Sequence, residues 1–456
     1  MAVTSKYDKH IHCDVRDMRS NQTGHNYRLW IDKFTDEEKT FDVYFYDLHR
    51  DGKMIYHTIL NQKMFATVPK LYFGEYRIEV KENGELVWEY TTDWRRKKVF
   101  VRLETEAMGD LLAFVPQIDK FRKKWDLELK VFHGGASGNG LDFIKSAYPH
   151  IEFTQDRTPG NVHKHIVVAC NTLRSWIEPG KKPLATSTSG GDDHLFAGRE
   201  DEIVPNIYGK NIWQQIPLQK VASDALGLDY EPIRPEIVLH PSISTKSNFG
   251  NKKYVCIASQ STCQIKYWNY GFEPDRKRDY GQGWREIIEW LKAEKGYDVV
   301  VLNQFKVFGN EKEKYGQYNE HNFGTIKTNG DTILKPNTSL YDRIIDLKNC
   351  EFYMGLNSGM SWIAYALGVP MVTIMALNKR EEIFGVDDPL IKTLHVHDYN
   401  KDACGDCFKR YKFNRHWTWC PEHAGTNRMY ECTSLITPDM VKEKCEELIG
   451  ELNAKL

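Results

Sequence analysis

Four cysteines near the end of the chain form the first group of residues with clear chemical potential. They follow the spacing Cys404-x2-Cys407-x12-Cys420-x11-Cys432. Four thiolates suit one tetrahedral ion, and both zinc and iron accept such a ligand set. Because four protein ligands leave no open position, we predict a structural metal site. His416 and His423 are alternative ligands, and free buried cysteines or a nucleic-acid-binding zinc ribbon are the alternative interpretations.

A single carboxylate, Asp110, is the second candidate. It lies between a predicted strand, Val99–Leu103, and a helix that carries Leu111 and Val115 on one face. In a parallel α/β sheet this position is at the carboxyl edge of the strands, where ligands bind. Asp110 is therefore a candidate general base facing a cleft. Its alternative role is that of a helix N-cap.

A third candidate site follows the predicted strand Tyr254–Ala258. Lys266 can neutralise a diphosphate that gains charge as it leaves, and the hydroxyls of Ser261 and Thr262 can donate to the same oxygens. The alternative is a surface lysine in a polar loop.

The stretch Gly355–Ile374 predicts a tight turn, a short buried helix and a buried strand. A helix that begins at Ser358-Gly359 directs free backbone N–H groups at whatever lies before it, which makes an anion site. Gly368 can end the helix, and Pro370 follows where a helix cannot continue. The alternative is an ordinary αβ unit without a ligand.

The elements that must position these residues fall into several predicted units. Alternating residues around the hairpin signal Asn83-Gly84 predict an N-terminal all-β sandwich or barrel. From Val99 strands alternate with helices, and a proline-containing linker at 229–250 separates two such halves, which predicts an α/β fold with two facing Rossmann-like domains. The predicted boundaries are 1–95 for the β-domain, 96–235 and 236–400 for the two halves, 401–436 for the four-cysteine metal finger and 437–456 for a C-terminal helix.

Composition narrows the functional classes. The chain has 456 residues, a net charge of −1 and 41% hydrophobic residues. A neutral chain lacks the basic footprint of a nucleic-acid-binding protein. We see neither a signal peptide nor an apolar run long enough to span a membrane, so we expect a cytoplasmic protein with thiols or metal ligands rather than disulfides.

Three motifs resemble those of the bacterial autotransporter heptosyltransferases, which are related to the lipopolysaccharide heptosyltransferases of glycosyltransferase family nine. They are Glu106–Pro116, Tyr254–Asn269 and Gly355–Ala366, and the cysteine segment matches as well. The similarity covers about residues 95 to 445. Insertions at 271–282 and 304–337 depart from the pattern, and the N-terminal β-domain agrees only in kind.

This resemblance implies a GT-B glycosyltransferase that transfers heptose from ADP-heptose to serine hydroxyls of an autotransporter passenger. It implies that Asp110 is the catalytic base and that Lys266 contacts the donor diphosphate. It also implies that the 96–235 half holds the acceptor, that the 236–400 half binds the nucleotide sugar, that the thiols hold iron and that the chain assembles as a dodecamer. The donor-binding set is then Ser261, Thr262, Gln264, Asn357, Ser358, Gly359, Met360 and Ser361.

The expected reaction inverts the anomeric configuration, with adenosine near Val301–Gln304 and no catalytic divalent metal. Three alternatives remain from the sequence. The acceptor could be lipopolysaccharide core or another glycan, the enzyme could be a hydrolysing nucleotide-sugar epimerase, or the chain could be a non-catalytic adaptor or assembly protein.

Overall fold

The structure is a computed structural model. It describes residues 7–15, 27–48, 51–67, 75–103, 108–133, 142–155, 164–166, 217–261, 266–271, 281–303, 333–334, 338–377, 383–407 and 420–454.

The first part of the chain forms two antiparallel sheets, with strand orders β1-β2-β5 and β4-β3-β6-β7. The predicted turn at Asn83-Gly84 is confirmed, because both residues have positive φ (54° and 84°) and join β6 to β7. The strands are β1 (Ile11–Val15), β2 (Tyr27–Ile31), β3 (Thr40–Asp47), β4 (Lys53–Asn61), β5 (Met64–Thr67), β6 (Tyr76–Glu82) and β7 (Glu85–Thr91).

A four-stranded parallel sheet follows, in the order β10-β9-β8-β11. Its strands are β8 (Lys98–Leu103), β9 (Glu128–His133), β10 (Ile151–Thr154) and β11 (Lys164–Ile166), and its helices are α1 (Met108–Trp125), α2 (Asp142–Ala147) and α3 (Leu218–Ala225). Helix α1 continues through Pro116 as one element.

The second parallel sheet has six strands in the order β14-β13-β12-β15-β16-β17. Its strands are β12 (Tyr254–Ala258), β13 (Asp298–Val301), β14 (Ile333–Leu334), β15 (Phe352–Leu356), β16 (Met371–Met375) and β17 (Ile391–His395). The helices are α4 (Gln282–Ala293), α5 (Leu340–Lys348), α6 (Gly359–Leu367), α7 (Glu431–Ser434) and α8 (Pro438–Asn453), with a 3₁₀ turn at Val396–Asp398. The buried side chains of five of these strands are mostly apolar, as expected when helices cover both faces of a parallel sheet. These strands are β12, β13, β15, β16 and β17.

The linker between the sheets is irregular but firmly held. Gln219 of α3 binds the backbone of Ile233 twice, accepting from its N–H at 2.8 Å and donating to its carbonyl at 2.6 Å. Arg234 forms an ion pair with Asp388 (2.9 Å) on the second half. The predicted linker is therefore anchored to an element of each half.

The apolar core is continuous across the halves. One buried cluster extends from the antiparallel sheets through α1 to α6, and a second lies between the six-stranded sheet, α4, α8 and the cysteine segment. The residues that the structure describes include no helix with the length and apolar character of a membrane span.

Candidate functional site

Asp110 is the third residue of α1 and its side chain is 7% exposed. The alternative prediction, a helix N-cap, is wrong because the helix already begins at Met108. A carboxylate in the first turn is favoured by the positive end of the helix dipole. The structure thus holds a buried acid at the start of the helix that follows β8.

The predicted anion site forms the beginning of α6. Ser358 is its N-cap, and the Ser361 hydroxyl accepts from the Ser358 N–H (3.1 Å) and donates to the Ser358 carbonyl (2.7 Å). Gly368 ends the helix in the left-handed conformation, with φ of 71°. Asn357 and Ser361 are buried, whereas Ser358, Gly359 and Met360 are half-buried and form the accessible edge of the turn.

The N-termini of α1 and α6 meet through two glycines. A Cβ on Gly109 would lie 2.9 Å from Trp362 Cδ1 and 3.6 Å from the Gly359 Cα. A Cβ on Gly359 would in turn lie 3.6 Å from the Gly109 backbone nitrogen. The two positive helix ends therefore converge, and Asp110 follows directly after the point of contact.

Lys266 is brought to the same turn from β12. Its ammonium donates to the Asn357 carbonyl at 2.9 Å, directly before the α6 N-cap. Ser261 is buried at the end of the preceding segment. Thr262 and Gln264 lie outside the described residues, so their positions remain predictions.

The segment that carries Lys266 is anchored to the cysteine finger. The Trp268 indole N–H donates to the Ile436 carbonyl (2.8 Å), and the Asn269 amide donates to the Thr433 hydroxyl (2.8 Å). Both Trp268 and Asn269 are 1% exposed. The finger therefore supports the loop that presents the candidate diphosphate ligand.

A buried polar pair lies at the ends of β12 and β13, close to the predicted adenosine region. Asn303 accepts from the Ser259 N–H (3.0 Å) and donates to its hydroxyl (2.7 Å). Arg343 approaches the Asn303 carbonyl at 3.4 Å, and burial lowers the pKa of this guanidinium. Gln304 lies outside the described residues.

Tyr353 was not anticipated from the sequence. A side chain on Gly355 would collide with its hydroxyl, so the glycine leaves the space that the phenol occupies beneath the α6 turn. Burial raises the pKa of Tyr353, which keeps the hydroxyl neutral. The alternation Tyr-x-Gly in β15 was the available signal.

His133 is a second residue that sequence reasoning missed. It ends β9 opposite Leu103 of β8, the strand that leads into α1. The side chain is 4% exposed, and burial, followed by the charge of Lys145, lowers its pKa. A histidine before the glycine-rich stretch 134–140 was the signal, and that stretch lies outside the described residues.

Cys432 interacts electrostatically with the thiols of the other three predicted metal-binding cysteines, but no three of these thiols lie within 4.8 Å of one another. Cys407, Cys420 and Cys432 are buried, and Cys404 is half-buried. Burial raises the pKa of Cys432 well above its usual range, and the neighbouring thiols of Cys407, Cys420 and Cys404 raise it further. A cation would stabilise such a cluster as thiolates, so these donors fit a metal ion. The described cysteines form no disulfide.

A different group brings its candidate ligand atoms closer together. The candidate ligand atoms of His395, His397 and Asp406 all lie within 4.8 Å of one another. Among the described residues, no other group of three His, Cys, Asp or Glu side chains meets this criterion. The sequence signal was the pair His395-x-His397 at the end of a strand.

The chain is similar to known glycosyltransferases. The family model of glycosyltransferase family 9 (heptosyltransferase) matches residues 210–417. The autotransporter heptosyltransferase BAHTCr of Citrobacter rodentium is 27% identical over 402 residues, covering 86% of this chain and 80% of that protein. The autotransporter heptosyltransferase TibC of Escherichia coli O78:H11 is 27% identical over 390 residues, covering 82% and 78%.

An inactive relative is also similar. The inactive autotransporter heptosyltransferase BimC of Burkholderia thailandensis is 23% identical over 388 residues, covering 84% of this chain and 77% of that protein.

The crystal structure of TibC, described as an iron-containing dodecameric glycosyltransferase, matches with a TM-score of 0.66 at 22% identity and covers 99% of this chain and 98% of that one. These findings confirm the predicted resemblance to autotransporter heptosyltransferases, the α/β glycosyltransferase fold and the predicted enzyme class.

Proposed function

From this similarity to family 9 heptosyltransferases, we propose that the chain is an inverting glycosyltransferase that moves heptose from ADP-heptose to serine hydroxyls of an autotransporter passenger protein. The contact between the N-termini of α1 and α6 carries this proposal. Through Gly109 and Gly359 it joins a buried acid of one half to an anion site of the other.

The donor diphosphate binds at the beginning of α6. The backbone N–H groups at Gly359 and Met360, at the turn that Ser358 begins, provide positive potential on one side of the cleft. The ammonium of Lys266, held at the Asn357 carbonyl, adds to it. Ser261, Thr262, Gln264, Asn357 and Ser361 complete the proposed donor set. Charge that develops on the leaving diphosphate is stabilised there without a catalytic metal ion.

Asp110 is the proposed general base. A serine hydroxyl is too weak an acid to ionise first, so the carboxylate removes its proton as the oxygen attacks the anomeric carbon. The diphosphate leaves from the opposite face, which inverts the configuration. Burial of Asp110 at 7% exposure supports this role, because a water-poor site strengthens its interaction with the acceptor proton.

We also propose that Cys404, Cys407, Cys420 and Cys432 hold one structural metal ion, iron or zinc, and that the chain forms a homo-oligomer, a dodecamer by analogy with TibC. The electrostatic interaction of Cys432 with the other three thiols supports the metal. The domain boundaries and the cytoplasmic location stay predictions.

The test compares Asp110→Asn with Asp119→Asn, a matched carboxylate on the same helix that pairs with Arg122 (2.8 Å). We expect Asp110→Asn to lower kcat by about 10²–10⁴-fold while ADP-heptose still binds. Asp119→Asn should affect stability more than turnover. Turnover is measured as heptose added to a co-expressed passenger, by intact mass.

Three outcomes would contradict the proposal. Near wild-type transfer by Asp110→Asn would show that Asp110 is not the general base. Consumption of the donor without any acceptor would favour an epimerase. Donor binding with no transfer by the wild-type chain, to a passenger or to lipopolysaccharide core, would show that the chain lacks transfer activity and would favour the adaptor or assembly protein.

A further inference from the structure

A partly buried cluster of two histidines and one aspartate lies outside the proposed donor site and uses none of the four thiols. His395 ends β17, His397 lies in the following 3₁₀ turn, and Asp406 comes from the loop that also carries Cys404 and Cys407. Strand, turn and loop thus bring three potential ligands to one point.

Their spacing suits a tetrahedral ion. His395 Nε2 lies 3.1 Å from Asp406 Oδ1, and His397 Nδ1 lies 3.4 Å from Asp406 Oδ2. Zinc–ligand bonds of about 2.0–2.1 Å in tetrahedral geometry place neighbouring ligand atoms roughly 3.3 Å apart. The three side chains therefore already have the separation that a shared ion requires.

Hydrogen bonding prepares His397 as a ligand. Its Nε2 donates to the Ala403 carbonyl at 2.9 Å, which in the neutral ring leaves the lone pair on Nδ1, the atom that faces Asp406. A second hydrogen bond of this kind is the usual support of a metal-bound histidine. Gly405 permits the arrangement, because a Cβ there would lie 2.9 Å from His397 Nε2.

His395 supplies the independent observation. Its side chain is 2% exposed, and Nε2 makes no hydrogen bond although it is directed at the Asp406 carboxylate. A buried ring nitrogen without a hydrogen bond is costly, and a bond to a metal ion would satisfy it. His395 Nδ1 accepts a long bond from the His397 N–H (3.3 Å), so the neutral ring carries its proton on Nε2. An ion bound at Nε2 would displace this proton, and a ring protonated at Nδ1 instead would lose the bond from His397.

The cluster is open on one side. His397 and Asp406 line a cavity of about 490 Å³ together with Asp402, Glu422 and His423, and Cys404 of the four-thiol group also lines it. Arg428 also lines it, but its charge is balanced by Glu431 at 2.7 Å. The excess of carboxylates attracts cations, and the cavity leaves room for a fourth ligand such as water.

We propose that His395, His397 and Asp406 form a second metal site that binds a divalent ion of the zinc type with one position open to the cavity. It is distinct from the four-thiol site, which has no open position. The proposal does not depend on heptose transfer, because its test measures metal binding alone.

The test titrates Zn²⁺ into purified full-length protein after a mild chelator has removed loosely held ions, with bound metals counted by mass spectrometry. Wild type should take up one further zinc per chain while its thiol-bound metal is retained. Asp406→Asn and His397→Gln should each weaken this zinc binding by about tenfold or more. Asp402→Asn, which changes the same cavity outside the cluster, should bind as wild type does.

Absence of the additional zinc in wild type would overturn the proposal. Zinc binding by Asp406→Asn and His397→Gln as tight as that of wild type would also overturn it. An equal loss in Asp402→Asn would also overturn it, because the cavity charge rather than the cluster would then hold the ion. Since Asp406 lies between two thiol ligands, its variant is accompanied by a count of the thiol-bound metal. If that metal is lost, His397→Gln decides the outcome.

Discussion

At the residue scale, buried polar side chains within the parallel strands and directly after them distinguish this region from an all-apolar sheet. His133 ends β9, Asn303 follows β13 and Tyr353 lies within β15. Each is less than 5% exposed. Such groups carry a desolvation cost that apolar residues avoid, and they are kept where they shape or orient a ligand.

His133 makes stability depend on pH. Because burial lowers its pKa in the fold, the unfolded chain binds the proton more readily below the ordinary pKa near 6.5. The free energy of unfolding therefore falls as the pH drops below about 6.5, by roughly 1 kcal/mol for each unit of lowered pKa. His133→Gln should reduce this loss in urea unfolding at pH about 7.5 and 5.5. His150→Gln, at an exposed position, should keep it, and an identical loss in both variants would contradict the assignment.

At the element scale, the cysteine finger and the Lys266 loop act as one unit. The loop contributes Trp268 and Asn269, whose polar atoms bind Ile436 and Thr433. Gly283 of α4 completes the contact, because a Cβ there would lie 2.7 Å from the Trp268 ring. The position of Lys266 therefore depends on a segment more than 160 residues away in the chain.

Thr433→Val tests this dependence. It removes the acceptor of the Asn269 amide in a buried contact, at a cost of about 1–3 kcal/mol. We expect KM for the donor to rise more than kcat falls, because Lys266 loses a fixed position. Ser434→Ala on the same short helix is the control. An unchanged KM in Thr433→Val would show that the loop holds its position without the finger.

The four-thiol site is tested by comparing a ligand variant, Cys432→Ser, with a control variant, Cys445→Ser. Cys432→Ser should abolish stoichiometric metal binding and lower the thermal midpoint, because the buried cluster loses one of four ligands. Cys445→Ser changes a buried thiol that contacts Met354 at 3.7 Å and should keep the metal while losing some stability. Measurements of metal content per chain and of thermal unfolding distinguish the two variants. Retention of the metal by Cys432→Ser would contradict the four-thiol site.

At the scale of the whole molecule, the two parallel sheets are joined by the packing of α1 on α6 and by a linker anchored to both. The buried cluster that contains α1 also contains α6 residues such as Trp362 and Tyr365. A change at this contact should therefore affect stability and turnover together.

Gly109→Ala is the corresponding prediction. The new Cβ would lie 2.9 Å from Trp362 Cδ1, so α1 or the Trp362 ring must shift, and we expect a loss of about 1–3 kcal/mol in stability and a fall in kcat. Gly450→Ala is the matched control, since no atom lies within 4 Å of its Cβ in the exposed end of α8, and it should stabilise by about 0.5–1 kcal/mol. Thermal unfolding and the transfer assay measure both. Full activity in Gly109→Ala would show that the helix contact does not position Asp110.

The sequence by itself determined most of the elements, because their signals are local. Tyr254–Ala258 has the predicted bounds, and the turns at Asn83-Gly84 and Gly368 have the predicted left-handed backbone. The resemblance and the candidate residues Asp110, Lys266 and Ser358 also came from local motifs.

Only the tertiary structure decided which of these residues meet. The contact of Gly109 with Gly359 and the bonds from Asn269 to Thr433 join segments about 160 to 250 residues apart, and no local periodicity encodes such pairs. The cluster of His395, His397 and Asp406 was missed for the same reason, because its members are ligands only when a loop folds back onto a strand end. Burial, which sets the pKa of His133 and Tyr353, is likewise a property of the packed chain and not of the residue.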